Sequence, residues 1–336
     1  MEIEMRSHLT SRRWIWINAG LLAFLIASIA FALFLGSEEA SLRAALSGDE
    51  RAYAIIFVSR LPRILLAALV GMALASAGGA FQALLRNQLA DPFILGVSGG
   101  AALGAVAAVG AGLGFTLQSI AAFGGAIVSM LAIFNIGNAR RRLSPTTLLL
   151  TGVIFNAFCF ALILFVNSIV TMEEAYQILF LLMGNLEPMG MGTIAVLALC
   201  VLGGFAMLCA CSWRMNLLAM GDADAASMGV NVARLRAVVF IAASLMVGAA
   251  VAASGLIGFV GLAVPHIMRL LTGADHRLLV PASGLAGAAF LVLADAAART
   301  LLMHTGYATE LPVGVITAMV GAPLFMILLR RQQKTI

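Results

Sequence analysis

The residues able to do chemistry are few, and their spacing excludes most reactions. Lys334 is the only lysine in the chain, so there is no G-x-x-x-x-G-K-[ST] phosphate loop and no ATP hydrolysis by that device. His8, His266, His276 and His304 are scattered, with no H-E-x-x-H pair to hold zinc. Cys159, Cys200, Cys209 and Cys211 fall inside apolar runs without metal or disulfide spacing, and read as small packing residues. No nucleophile and base form a set. We therefore expect no catalytic centre, no bound cofactor and no metal site in this chain.

Charge is the chemistry that remains, and it is grouped. Asp295 is the one carboxylate inside an apolar run and precedes Arg299 by four residues, so the two can pair on one helix face. A proton relay is the other reading of Asp295. Arg60-Leu61-Pro62-Arg63 puts two arginines at the mouth of an apolar run, either a docking surface for an acidic partner or residues snorkelling to an interface.

Those groups need elements to hold them, and composition says which. Residues AVILMFWYC make up 62% of 336 positions and charged residues only 10%, far from the balance of soluble chains. Apolar stretches long enough to cross a bilayer recur with short polar interruptions, so the expected fold is an all-α integral membrane protein. Ten spans are expected, at Ile17 to Leu35, Leu61 to Leu84, Phe93 to Ala111, Leu117 to Ile136, Thr146 to Ile169, Gly192 to Trp213, Ala237 to Ala253, Leu256 to Leu271, Leu279 to Ala298, and Leu311 to Leu329. They form one transmembrane domain over residues 1–336, with tails at 1–16 and 330–336. The first span is too long for the apolar part of a secretory signal and reads as a retained anchor.

With ten spans and the N-terminus inside, 15 of the 20 Lys and Arg fall on the cytoplasmic side, the bias of the positive-inside rule. Both termini are then cytoplasmic. Arg43, Arg51, Arg60, Arg63 and Arg299 fall outside, against that trend. The basic residues are dispersed, so nucleic acid is not an expected partner. Ala67, Gly71, Ala75 and Gly79 on the second span, Gly96, Gly100, Gly104 and Ala108 on the third, and Gly314, Ala318 and Ala322 on the last form small-residue stripes for close helix packing. Pro62, Pro92, Pro145, Pro281 and Pro312 are expected at helix entrances, Pro265 and Pro323 inside spans.

Two cytoplasmic segments stand out. Asn216 to Arg236, NLLAMGDADAASMGVNVARLR, is Ala-rich with breaks at Gly221 and Gly229, and reads as one or two short helices outside the bilayer that could receive force from a soluble partner. Arg140 to Thr147, RRRLSPTT, is a basic loop whose Ser144-Pro145-Thr146-Thr147 turn enters the fifth span and could form a small-residue constriction.

The combination resembles the FecCD-type permease subunits of ABC importers for iron-siderophores, haem and cobalamin. The carrying motifs are RLPRILLAALVGMALASAGGAFQALLRNQLADPFILGVSGGAALGA from Arg60, LLAMGDADAASMGV from Leu217, and GLIGFVGLAVPHIMRLLTGADHRLLVP from Gly255. LADAAAR from Leu293 and ELPVGVITAMVGAPLFMILL from Glu310 complete the set. Gln88 and Gly99-Gly100 depart from the family's commoner residues, near its inner gate.

The resemblance implies a type II importer bundle in the bacterial inner membrane, working as a homodimer with two cytoplasmic ATPase subunits and a periplasmic substrate-binding protein. ATP and magnesium would bind the ATPase subunits. It implies docking roles for Arg60, Arg63 and Arg299. It also implies ATPase-coupling contacts at Leu217, Leu218, Ala219, Met220, Gly221, Asp222, Ala225, Ala226, Met228 and Gly229, in a cytoplasmic segment spanning residues 214–236. A cytoplasmic gate is implied at Asn87, Ser144, Pro145, Thr146 and Thr147, and a pathway lined by the fifth and tenth spans. The expected substrate is a metal chelate, ferric siderophore or haem first and cobalamin second. An ion-driven carrier acting without partners, or an intramembrane enzyme, is the reading from another class.

Overall fold

The computed structural model describes residues 9–35, 47–137, 144–302 and 310–333. Arg6, His8, Glu38, Glu39, Arg43, Arg140, Arg141, Arg142, His304 and Lys334 lie outside the described residues.

The described residues form twelve helices, against ten expected spans, and no strand. In chain order they are α1 (Ser11–Phe34), α2 (Glu50–Leu85), α3 (Val97–Gly110), α4 (Phe115–Gly137), α5 (Pro145–Ile169), α6 (Met172–Met183), α7 (Met191–Met220), α8 (Asp222–Ser227), α9 (Val232–Ser254), α10 (Val260–Thr272), α11 (His276–Thr300) and α12 (Val313–Gln333). Seven, α1, α2, α4, α5, α7, α9 and α11, are long and apolar enough to cross a membrane, and α3, α10 and α12 are shorter apolar helices. Each of the ten expected spans falls on one of these. The two helices beyond these spans are short: α8 lies in the segment Asn216 to Arg236, expected to form one or two short helices, and α6 in the connection between the fifth and sixth spans.

α2 is the axis of the bundle. It packs against α11, α9, α7 and α10, and 78% of its apolar window is buried, against 17% for α5. Small residues make that possible: a Cβ on Gly71 would collide with the backbone of Gly287, and one on Gly78 with that of Gly261. In lipid, where apolar burial between helices gains little, such backbone approach supplies the packing contacts. α3 and α4 use the same device at Gly100, Gly104 and Gly125. α5 instead exposes Leu150, Ile154, Phe158 and Phe165, an apolar face suited to lipid or a second chain.

Several boundaries differ from expectation for local reasons. α10 starts at Val260, four residues after the expected Leu256, because Gly255 and Phe259 both take left-handed φ, +66° and +67°. Leu256 N–H meets its acceptor in the Leu181 carbonyl, 3.1 Å away on α6, so the non-helical run is satisfied by neighbouring backbone. α3 likewise follows a 3-10 turn, Pro92–Leu95, that ends at Gly96. Pro281 lies inside α11, which starts at His276 under an Asp275 cap, and is not at its entrance. The tails are shorter than expected, since α1 begins at Ser11 and α12 runs to Gln333. Of the segment 214–236, Arg214–Met220 continues α7 and Val232–Arg236 begins α9, leaving the six-residue α8 as the separate helix.

Candidate functional site

Charge gathers at both ends of the bundle. The path of α1, α2 and α11 puts Arg60, Arg63 and Arg299 at one end, and that of α2, α7 and α9 puts Arg86, Asp222 and Arg236 at the other.

At the first end, α2 carries a π-helical stretch over Ala54–Arg60 that runs directly into Pro62 at a position where its missing N–H is tolerated. Arg60, Arg63 and Arg299 are all buried, and Asp295 is 0% exposed. Arg63 Nε donates to Asp295 Oδ1 at 2.9 Å and its Nη1 to Glu310 Oε2 at 2.6 Å. Arg299 Nε donates to Asp295 Oδ2 at 3.0 Å, the pairing expected from the four-residue spacing. Arg299 Nη1 also reaches the Leu35 carbonyl at 3.3 Å, and Arg60 Nη1 the Leu33 carbonyl at 3.0 Å. One buried carboxylate thus joins α2 to α11 through Arg63 and Arg299, while Arg60 and Arg299 tie the two helices to the end of α1. Arg63 Nη2 and Arg299 Nη2 are buried without a hydrogen-bond partner among the described residues.

Glu310 and the burial of the arginines are what sequence reasoning missed. No spacing rule links Glu310 to Arg63, which lie 247 residues apart.

At the other end, α2 stops at Arg86, whose left-handed φ of +49° is unusual for a side chain of its size. That turn lets Arg86 Nε donate to the Leu218 carbonyl at 2.9 Å and Nη2 to Asp222. Arg236 Nη2 reaches the same Asp222 oxygen at 2.7 Å. Asp222 follows Gly221, whose φ of +151° turns the chain from α7 into α8. Three long helices therefore converge on the first residue of α8. Beyond it, Ala219, Met220, Ala226, Met228 and Gly229 are exposed, Leu217 and Gly221 half-buried, and Leu218 and Ala225 buried. Two exposed methionines at a polar end form an apolar spot suited to a protein partner.

Asn87 follows Arg86 directly and turns its Oδ1 to the Leu89 N–H at 2.9 Å. Ser144 and Pro145 are half-buried and Thr146 and Thr147 exposed at the start of α5, which begins at the same end as Asn87. Asp91, four residues after Asn87, caps the 3-10 turn by accepting from Phe93 N–H at 2.8 Å. Burial pushes its carboxyl up to about 6, with the Phe93 bond pulling the other way. Asp275, the α11 cap, behaves oppositely: burial raises it, but hydrogen bonds from Arg277 and Asn216 outweigh that and hold it at about 2.

A cavity of about 770 Å³ opens at the Arg63 end, between the end of α3, the start of α4, α6 and the end of α9. Gln118, Thr171, Glu173, Tyr176, Asn185 and Glu187 line it. α6 was read as part of an outer connection, although T-x-x-E at Thr171 and Glu174 is the signature of the capping box that starts it. No group of three or more His, Cys, Asp or Glu is placed to hold a metal ion among the described residues.

Seven helices long and apolar enough to cross a membrane, with charged clusters at the two ends of the bundle, define a multi-pass membrane protein. The chain belongs to the FecCD transport family, whose model matches residues 24–331. It is 42% identical over 299 residues to the ABC transporter permease protein YvrB of Bacillus subtilis (strain 168), covering 86% of this chain and 82% of that one. It is 37% identical over 327 residues to the vitamin B12 import system permease protein BtuC of Klebsiella pneumoniae, covering 96% and 95%. Among solved structures it superposes with a TM-score of 0.83 and 32% identity on a chain described as a metal-chelate type ABC transporter in an inward-facing conformation, covering 94% of this chain and 99% of that one. The fold and the resemblance read from the motifs therefore agree, and the protein is a multi-pass permease of an ABC importer.

Proposed function

We propose that this chain, as a homodimer in the bacterial inner membrane, carries a bulky metal chelate inward while a separate pair of ATPase subunits supplies the energy. The observation that carries this is the division of chemistry between the two ends, with no ionisable ligand set for a driving ion between them among the described residues. ATP-driven closure of the partner subunits would press on Leu217–Gly229, and the bundle would convert that into alternating access.

In this reading both termini are cytoplasmic and the Asp222 end faces the ATPase. Exposed Met220 and Met228 support contact there. Asn87, Ser144, Pro145, Thr146 and Thr147 form the inner gate, and their shared end of the bundle supports it. Arg60, Arg63 and Arg299 at the opposite end receive the substrate-binding protein, supported by their clustering at the end away from Asp222 and by the half-exposed Glu310 on Arg63. The apolar outer face of α5 supplies contact with lipid or the second copy.

The family resemblance puts a ferric siderophore or haem first as the substrate. The relative named for vitamin B12 import favours a corrinoid as the second reading. Uptake of labelled siderophore, haem and cobalamin by cells with and without the chain separates them. Accumulation of one that depends on the chain and fails in Met220→Glu with Met228→Glu supports the proposal. Uptake unaffected by that pair would remove the ATPase from the Asp222 end.

A further inference from the structure

Glu310 differs from the rest of its cluster in one respect that bears on docking. Its side chain is 49% exposed, whereas that of Arg63 is 9% and that of Asp295 is 0%. Asp295 cannot leave, because both its oxygens are engaged inside the bundle, by Arg63 and by Arg299. Glu310 is held by one hydrogen bond, to Arg63 Nη1. Any anion approaching from outside meets the cluster where Glu310 closes it.

We propose that Glu310 is a displaceable internal counter-ion, occupying on Arg63 the place that a carboxylate of the docking substrate-binding protein takes on association. This rests on the docking reading of Arg60, Arg63 and Arg299 and deepens it. Two observations beyond exposure carry it. Arg63 Nη2 and Arg299 Nη2 are buried with no acceptor among the described residues, so the cluster has donors to spare. A carboxylate offers two oxygens and about four lone-pair sites, and a guanidinium five N–H donors in a fork, so a second acid is chemically accommodated. Release of Glu310 would uncover one more positive charge on Arg63.

Glu310 is also placed where its release would be felt. It begins a two-residue link into Pro312 and α12, and that link is tied on both sides: Leu311 N–H donates to the Ala298 carbonyl on α11 at 3.2 Å, and Gly314 N–H to the Gly184 carbonyl after α6 at 3.1 Å. α6 in turn borders the 770 Å³ cavity, so it has open space beside it. A carboxylate exchange on Arg63 thus acts on the segment joining α11, α12 and α6.

The test is the affinity of the permease–ATPase complex in nanodiscs for the substrate-binding protein of its own system, measured at low ionic strength. Glu310→Gln keeps the hydrogen-bonding reach and removes the competing charge, so affinity should rise about tenfold, the scale of a close interfacial charge pair. The gain should shrink as salt is added. Glu173→Gln, which removes the same charge from the cavity rim, should change affinity by much less. If Arg63→Gln and Arg299→Lys weaken association while Glu310→Gln leaves it unchanged or weaker, docking stands and the counter-ion role is wrong. An equal rise in Glu173→Gln would likewise overturn it, as a bulk charge effect. If none of the arginine variants alters affinity, the docking reading itself falls, and the inference with it.

Discussion

Two clusters at opposite ends of the bundle share a composition, one aspartate between two arginines, and differ in their surroundings. Asp295 is wholly buried between Arg63 and Arg299, while Asp222 is about half exposed between Arg86 and Arg236, at 50% for its side chain. A buried pair has lost its water, so each member depends on the others and none can move alone. The Arg86–Asp222 pair, 35% and 50% exposed, can break and re-form against solvent at little cost, although Arg236 beside it is buried. The same two residue types therefore build a fixed joint at one end and a partly releasable one at the other. The fixed joint suits a docking platform, the releasable one a segment that must move with a partner.

The largest effect expected from this contrast is at the buried joint. Asp295→Ala takes the buried carboxylate from Arg299 and leaves Arg63 only Glu310; it should cost about 3–5 kcal/mol, read as a large fall in the thermal unfolding midpoint in detergent. Replacing all three members, Arg63→Met, Asp295→Leu and Arg299→Met, should recover much of that loss. Unchanged stability in Asp295→Ala would mean that the joint is not fixed.

Asp91 sharpens the comparison because it is a partly buried acid in no ion pair among the described residues. Its pKa is raised in the folded state to about 6, so the fold binds the proton more tightly than the unfolded chain does. The stability this gives is full below the ordinary carboxylate value of about 4 and is lost as pH rises through about 6. Asp91→Asn keeps the cap acceptor and should stabilise the protein by about 1–3 kcal/mol at pH 8, with no gain at pH 4. Unfolding curves at the two pH values decide it, and an equal effect at both would contradict the assignment.

The smallest stability effect belongs to the releasable joint. Asp222→Ala should cost clearly less than Asp295→Ala, because Asp222 itself and Arg86 reach solvent and only Arg236 is buried, yet uptake per ATP hydrolysed should fall well beyond what that loss explains. The charge exchange of Asp222→Arg with Arg236→Asp should restore part of it. A fall in stability as large as that of Asp295→Ala would erase the distinction between the ends.

How far the sequence carried these conclusions depends on what each element required. Ten apolar helices were readable because length and hydropathy alone define them, and Asp295–Arg299 because four residues is one helical turn. The start of α10 was not, since GLIGFVGLAV is apolar throughout and no periodicity separates its extended run from its helix. Only the left-handed Phe259 and the acceptor at Leu181 settle it. The Arg63–Glu310 and Arg86–Asp222–Arg236 contacts join positions far apart in the chain, and charge counting cannot pair them. α6 was within reach, because Thr171 and Glu174 spell a capping box. The burial of Arg60 and Arg63 ran against the expectation of an exposed mouth: the π-helical stretch before Leu61 and the ends of α1 and α11 enclose them.

The claim on which all of this depends is that the energy comes from another chain. Proteoliposomes should hold this permease alone, or with its ATPase subunits and binding protein, under an imposed proton or sodium gradient and with ATP inside or absent. Accumulation of the chelate only with the ATPase subunits and ATP is the predicted result. Gradient-driven accumulation by the permease alone, abolished by Asp295→Asn, would contradict it.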